Sequence, residues 1–307
     1  MTKLSYLASV AQTRSVLEQH GLMTKKALGQ HFLINDGIVA HICDLAELTL
    51  EDNVVEVGPG IGTLSVALLQ RVGALVAIER DTDLPPVLAQ TTEPWADSFT
   101  LIQGDALEVA PEQLPFAPNK LVANLPYAVA ATIVLDYFER FDSIESQTIM
   151  VQAEVADRMC AKVGTKNYGA YTVKLGLFAS YTGRFAVSEG NFFPPPRVKS
   201  AVIRLDRVKD ALPQDVRMAT MVMADAAFAT RRKTIANSMK TYFSNPQSTT
   251  GVFAEDSFTS IESRSIVPHI NDLLSKAGIP ANARGESLDQ DQFIALGQAY
   301  LQLRETL

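Results

Sequence analysis

The chain of 307 residues has a formal net charge of −7, and 47% of it is hydrophobic against 20% charged. At about 150 residues per domain this is the length of two domains, with enough apolar side chain to bury a core in each. The composition excludes a disordered or low-complexity chain, and two cysteines are too few for a disulfide-stapled module.

The N-terminal stretch shows no cationic patch leading into a long apolar run, so no export signal is expected and the protein reads as cytoplasmic. Cys43 and Cys160 lie far apart, and no Cys-x-x-Cys or His-x-x-x-His spacing is present, so two reduced buried thiols are expected and no metal centre. From residue 53 the chain alternates apolar strand-like runs with helix-compatible stretches. Asn53–Val57, Ala74–Glu79, Phe99–Gln103, Lys120–Ala123 and Thr148–Val151 are the predicted strands, and Thr63–Val72 and Ala128–Phe138 the intervening helices. Such alternation implies βαβ units and a parallel sheet covered on both faces. The uncharged stretch Leu121–Leu135 is too short and, with Asn124, Pro126 and Thr132, too polar to span a bilayer, so no membrane association is expected.

After Phe192 a Phe-Pro-Pro-Pro run forms a stiff extended connector to a last strand, Ser200–Leu205. Beyond residue 213 the pattern turns helical, with helices expected over 214–229, 231–242, 267–277 and 289–303, and the Ser/Thr-rich stretch 244–265 reads as a loop or insertion. The domain boundary therefore falls near 207: an α/β domain over 1–207 with an N-terminal helical arm, and a smaller helical domain over 208–307.

Two motifs carry chemistry. Glu56-Val-Gly-Pro-Gly-Ile-Gly62 follows the first predicted strand and opens a helix, where Gly58 and Gly60 let backbone approach a ligand closely. The dinucleotide fingerprint fails at Thr63, where a third glycine would be needed. A Gly-x-Gly-x-Gly turn with an acid closing the next strand instead suits S-adenosylmethionine: Glu79 for the ribose hydroxyls, and Asp105 for the adenine amine. Asn124-Leu-Pro-Tyr127 ends the fourth strand, beyond which ligands of open α/β sheets bind. The Asn124 side-chain oxygen and the Leu125 carbonyl can each accept a hydrogen from an adenine amine, Pro126 holds the turn, and Tyr127 can stack on the base.

Taken with Leu28-Gly-Gln-His-Phe-Leu33, Val151-Gln-Ala-Glu-Val-Ala-Asp-Arg158, Tyr168-Gly-Ala-Tyr171, Phe192-Phe-Pro-Pro-Pro-Arg-Val-Lys-Ser-Ala-Val202 and Ala227-Phe-Ala-Thr-Arg-Arg-Lys-Thr234, these motifs resemble, in order and over nearly the whole chain, the bacterial ribosomal RNA small-subunit adenine dimethyltransferases. The resemblance implies a Rossmann-like class I methyltransferase sheet, a smaller C-terminal helical domain and S-adenosylmethionine as cofactor. It implies that His31, Leu33, Gly58, Glu79, Asp105 and Asn124 contact that cofactor, and that Phe192 faces Tyr127 across the target base. The implied substrate is a pair of adjacent adenines in the 3′-terminal hairpin of 16S RNA, dimethylated in the immature 30S subunit by a monomer. Three features depart from the family pattern: Ala-Val-Ala-Ala-Thr follows Tyr127, the 244–265 segment is longer than usual, and Arg284-Gly-Glu286 replaces Arg-Ala-Glu. The competing readings are an erythromycin-resistance-type 23S adenine methyltransferase and a non-catalytic RNA-binding assembly factor.

Charge is segregated along the chain. Residues 44–157 hold 4 basic and 19 acidic groups, and residues 158–240 hold 15 and 5. An acidic chain so divided can still present a basic face to phosphates, and Arg197, Lys199, Arg204, Arg231, Arg232 and Lys233 are the residues expected to form it.

Overall fold

The computed structural model describes residues 3–24, 30–245 and 264–306. Leu28 and Gly29 of the opening motif, and most of the loop expected over 244–265, lie outside the described residues. The chain divides into two compact units, 1–156 with 180–207, and 157–179 with 208–307.

The first unit is built on a seven-stranded sheet in the order β4-β3-β2-β5-β6-β9-β7. In chain order these are β2 (Asn53–Val57), β3 (Ala74–Glu79), β4 (Phe99–Gln103), β5 (Lys120–Asn124), β6 (Ser146–Gln152), β7 (Ala179–Val187) and β9 (Ser200–Arg207). β2, β3, β4, β5 and β6 pair in parallel, whereas β9 runs antiparallel to β6, from Ser146 opposite Asp206 to Gln152 opposite Ser200. The sheet is thus mixed, not parallel throughout. The parallel order expected for residues 53–151 holds for β2 to β6, and the sheet becomes mixed where β9 joins β6; β7 was not foreseen, because its interior residues are exposed or half-buried and form no apolar run. β2 and β3, by contrast, are rich in Val, Ile and Leu and are buried from their second residue onward, as strands covered on both faces require.

Helices flank this sheet where the sequence supplies start signals and an apolar face. Asn35 caps Asp36–Leu45 by accepting the Gly37 and Ile38 N–H groups, and Ser9 caps the N-terminal helix Val10–Gln19 through the Gln12 N–H. Val16 and Leu17 of that helix pack with Ile61, Leu84, Val87 and Leu88. Thr63–Leu68 is buried along its whole length behind the glycine turn. A two-residue antiparallel ribbon, β1 (Phe32–Leu33) with β8 (Phe192–Phe193), completes the unit, with Phe32 opposite Phe193 and Leu33 opposite Phe192.

The second unit packs the helices Ala170–Gly176, Gln214–Phe228, Ile235–Ser244, Ile270–Lys276 and Gln290–Arg304 around one core that includes Met223, Phe243, Phe293 and Tyr300. Asp157–Ala179 packs with residues 208–307 in this unit, and residues 180–207 with the first. Tyr168 and Val173 are part of the helical core, the Tyr168 hydroxyl donates to the Leu288 carbonyl at 2.9 Å, and Lys174 pairs with Asp225. The helix expected from 231 begins at Ile235 instead: Thr234 is extended (ψ 155°), and Arg231–Lys233 lie in the preceding turn. Among the described residues no helix is long and apolar enough to cross a membrane. Of the two thiols, Cys43 is buried as expected but Cys160 is only half-buried.

Candidate functional site

At the carboxyl ends of β2, β3, β4 and β5 the first unit opens a cavity of about 580 Å³. His31, Leu33, Gly58, Gly60, Glu79, Asp105, Asn124, Leu125, Pro126 and Tyr127 all line it. Residues of the opening motif, the glycine turn, the two acids and the Asn-Leu-Pro-Tyr turn, separated by up to 96 positions, thus converge on one cleft.

The floor is the glycine turn. The Gly58 N–H donates to the Ile78 carbonyl at 2.9 Å, tying the turn to β3. Gly60 has φ +62°, and a Cβ there would stand 3.0 Å from the Phe32 ring, so only glycine closes this turn without displacing an aromatic. Glu79 ends β3 at 7% exposure. Its Oε2 accepts the Gly60 N–H at 3.2 Å and its Oε1 the Asp81 N–H at 2.8 Å. Burial raises its pKa above the ordinary carboxylate value, while the backbone donors work against that rise. Each oxygen keeps acceptor capacity for a further donor from the cavity. Asp105 accepts the Leu107 N–H at 3.0 Å, and its other oxygen lies 3.3 Å from Arg80 Nη1.

The wall is the Asn-Leu-Pro-Tyr turn. Leu125 N–H donates to the Met150 carbonyl at 3.1 Å, continuing the β5–β6 pairing one residue beyond the strand. Asn124 Nδ2 donates to the His31 carbonyl at 3.2 Å, which orients the amide and leaves Oδ1 as an acceptor. The His31 ring stacks beside Tyr127 at 5.9 Å and 24°. Its Nδ1 lies 2.8 Å from the Pro194 carbonyl, and because a carbonyl only accepts, that nitrogen carries the hydrogen. The Tyr127 hydroxyl bonds Ser200 Oγ at 2.6 Å, and burial holds its pKa above the usual phenol value.

Phe192 does not reach the cleft. It is 2% exposed and packs in the core with Leu33, Val39, Val187 and Val202, because it occupies the inward face of the two-residue ribbon. Phe193 takes the opposite face, half-buried, under the Arg14 guanidinium at 5.0 Å. The sequence reading also missed Glu56. It lines the cavity at 1% exposure, accepts the Ser65 hydroxyl at 2.5 Å, and burial raises its pKa to about 8. Its place at the head of the glycine motif was the available signal.

The basic residues divide. Arg197 and Lys199 are exposed on the segment before β9. Arg204 is not available to a ligand: its side chain is 14% exposed, pairs with Glu47 at 2.6 Å and Asp206 at 2.8 Å, and donates to the Leu45 carbonyl. In the second unit Arg231 pairs with Glu286 at 3.2 Å and donates to the Thr165 carbonyl at 3.3 Å. Arg232 and Lys233 are exposed beside it. The Arg231–Thr165 bond also draws in the 162–167 loop, whose exposed Lys162 and Lys166 were not foreseen.

A mostly parallel sheet, a glycine turn after β2, an acid closing β3 and a second acid after β4 define a class I, S-adenosylmethionine-dependent methyltransferase. The cleft fits that cofactor: it has the volume for a nucleoside joined to an amino acid, Glu79 for paired hydroxyls and Asp105 for an amine.

The family model for ribosomal RNA adenine dimethylases matches residues 21–266. The ribosomal RNA small subunit methyltransferase A of Rhodococcus opacus is 35% identical over 301 residues, 96% of this chain and 95% of its own. That of Acidothermus cellulolyticus is 37% identical over 293 residues, 94% of this chain and 93% of its own. Among solved structures, a dimethyladenosine transferase from Plasmodium falciparum superposes with a TM-score of 0.71 at 23% identity, over 90% of this chain and 98% of that one. The 23S rRNA methyltransferase ErmE superposes at 0.61 and 22% identity, over 87% and 98%; at such identities both likenesses concern the fold alone. This chain belongs to the ribosomal RNA adenine dimethylase family.

Proposed function

We propose that the protein dimethylates the exocyclic amines of two adjacent adenines in the 3′-terminal hairpin of 16S RNA, acting as a cytoplasmic monomer on the immature 30S subunit. The observation that carries this reading is the Asn124 amide, fixed by the His31 carbonyl at the rim of a cleft that also holds Glu79 and Asp105. The full-length likeness to proteins named for the small subunit favours that RNA over the 23S target in the name of ErmE.

S-adenosylmethionine, when bound, supplies an electrophilic methyl group. The chain's own residues prepare the nucleophile. An adenine amine is weakly nucleophilic because its lone pair is delocalised into the ring. Asn124 Oδ1 and the Leu125 carbonyl accept its two hydrogens, which favours a pyramidal nitrogen whose lone pair is free to attack. Tyr127 offers a face for the extruded base, and stacking worth roughly 1–3 kcal/mol offsets much of the unstacking cost. The amine proton is lost to water after transfer, so no general base is required. Glu79, Asp105 and the Gly58–Gly60 backbone hold the cofactor. Phe192 supports Leu33 and the ribbon from the core rather than stacking on the base. Arg197 and Lys199 in one unit, and Arg232, Lys233, Lys162 and Lys166 in the other, contact phosphates.

The test is mass spectrometry of small-subunit RNA from a strain lacking the gene. Complementation with the wild-type gene should restore two adjacent dimethyladenines. Asn124→Ala should lower turnover on isolated immature subunits by roughly 10²-fold or more, with RNA affinity near normal. Near wild-type methylation by that variant would refute the amine clamp.

A further inference from the structure

Between Pro194 and Ser200 the chain is fastened at both ends to the residues around the Asn-Leu-Pro-Tyr turn. At one end the Pro194 carbonyl holds His31 Nδ1 at 2.8 Å, and the His31 carbonyl in turn holds the Asn124 amide at 3.2 Å. At the other end Ser200 Oγ lies 2.6 Å from the Tyr127 hydroxyl. Ser200 is 1% exposed, and its place opposite Gln152 is set by the antiparallel β6–β9 ladder. Arg197, Val198 and Lys199, between the two fastenings, are exposed.

A buried hydroxyl locked in a sheet is a fixed point, whereas a half-buried tyrosine ring beside a cleft has rotational freedom to lose. Joining the two sets the ring's plane. It also occupies the phenol oxygen, leaving the ring face as what Tyr127 offers a ligand. Catalytic geometry depends on such support, because a stacking surface tilted by 10–20° swings a base-borne amine away from its acceptors by a large part of a hydrogen-bond length.

We propose that Ser200 is a positioning residue for the target adenine. Its hydrogen bond fixes the Tyr127 ring on which the base stacks, and hence the approach of the amine to Asn124. The inference rests on the methyltransferase reading given above.

The experiment compares the wild type, Ser200→Ala, Tyr127→Phe and the double variant in steady-state methylation of immature small subunits. S-adenosylmethionine affinity and thermal midpoint are measured on each. Each single variant should lower kcat roughly 2- to 10-fold, the range expected for one lost hydrogen bond. Cofactor affinity should stay unchanged, and the double variant should fall no further than the worse single one. A wild-type kcat in either folded single variant overturns the proposal. So do losses that multiply in the double variant, or a Ser200→Ala loss matched by weaker cofactor binding. If Ser200→Ala does not fold, Tyr127→Phe decides alone, since it deletes one oxygen and leaves the stacking ring. Failure of the wild type to methylate adenine would overturn the functional reading itself and is seen separately.

Discussion

A carboxyl taken out of water with no cation beside it favours its neutral form, and Glu56 is such a group. Its pKa is pushed to about 8 by burial, with the Ser65 hydrogen bond opposing and the charge of Glu79 adding to the rise. The unfolded chain releases this proton near pH 4.5, the ordinary value. The folded chain keeps it, so the stabilisation from the neutral acid is complete below about pH 4.5 and is lost as pH rises through about 8. The loss is on the order of a few kcal/mol. Glu56→Gln retains the shape without the titration, so the cofactor-free variant should lose less thermal stability than wild type between about pH 5 and about pH 9. Parallel midpoint-against-pH curves would show that Glu56 is solvated in the folded protein. Glu79 differs in having two backbone N–H donors on its carboxylate. Glu79→Ala should therefore leave the fold intact while weakening S-adenosylmethionine by roughly 1.5–3 kcal/mol per charge-assisted bond lost. Calorimetric titration with unchanged affinity would remove Glu79 from the cofactor site.

At the level of elements, the two-residue ribbon separates what the paired phenylalanines do. Successive strand residues face opposite ways, so Phe192 is fully buried in one hydrophobic cluster while Phe193, half-buried, packs against the edge of another that includes Val16, Phe32 and Ile61. Phe192→Ala should cost about 3–5 kcal/mol in denaturant unfolding, the range for a deleted core aromatic, and Phe193→Ala distinctly less. Equal costs would place both rings alike. The same periodicity explains what was legible in the sequence. β2, β3, β5 and β6 were readable because strands covered on both faces need β-branched and aliphatic runs, such as Val54-Val55 and Leu75 to Ile78, and β4, an edge strand with no buried residue, because it keeps the apolar pair Leu101-Ile102. β7 was not, because an edge strand with Tyr181, Thr182 and Arg184 facing water carries no such run. The helix start at Ile235 was misplaced because a tertiary contact, Ile235 N–H to the Ala283 carbonyl at 2.7 Å, fixes it. In the cleft, residues at strand ends were legible from local motifs. The bonds that orient them were not: Asn124 to His31, Tyr127 to Ser200 and His31 to Pro194 span 93, 73 and 163 positions. No local pattern encodes which strand end will meet which loop.

For the molecule as a whole, the question is how a chain of net charge −7 binds a polyanion. Concentrating 19 acids in residues 44–157 and 15 bases in residues 158–240 allows attraction at chosen patches while the rest of the surface repels non-specific contact. The bases are not equivalent, however. Arg204 is held by two carboxylates and a carbonyl within the first unit, and Arg231 joins Glu286 to the 162–167 loop within the second. Their removal should act on stability and local order. Arg197, Lys199, Arg232 and Lys233 are exposed, and their removal should act on RNA. Each phosphate contact deleted lowers the slope of log affinity against log salt by somewhat under one unit. The Arg232→Ala, Lys233→Ala double variant should therefore bind immature small subunits more weakly at low salt and with a slope shallower by one to two units. Its S-adenosylmethionine affinity should be unchanged. Arg204→Ala should keep the wild-type slope and unfold at a lower temperature, because Asp206 and the Leu45 carbonyl lose a partner that is largely shielded from water. RNA titrations across salt concentrations, paired with thermal melts, separate the two behaviours. A wild-type slope in the Arg232/Lys233 variant would move the phosphate surface elsewhere, and a shallower slope for Arg204→Ala would return that residue to it.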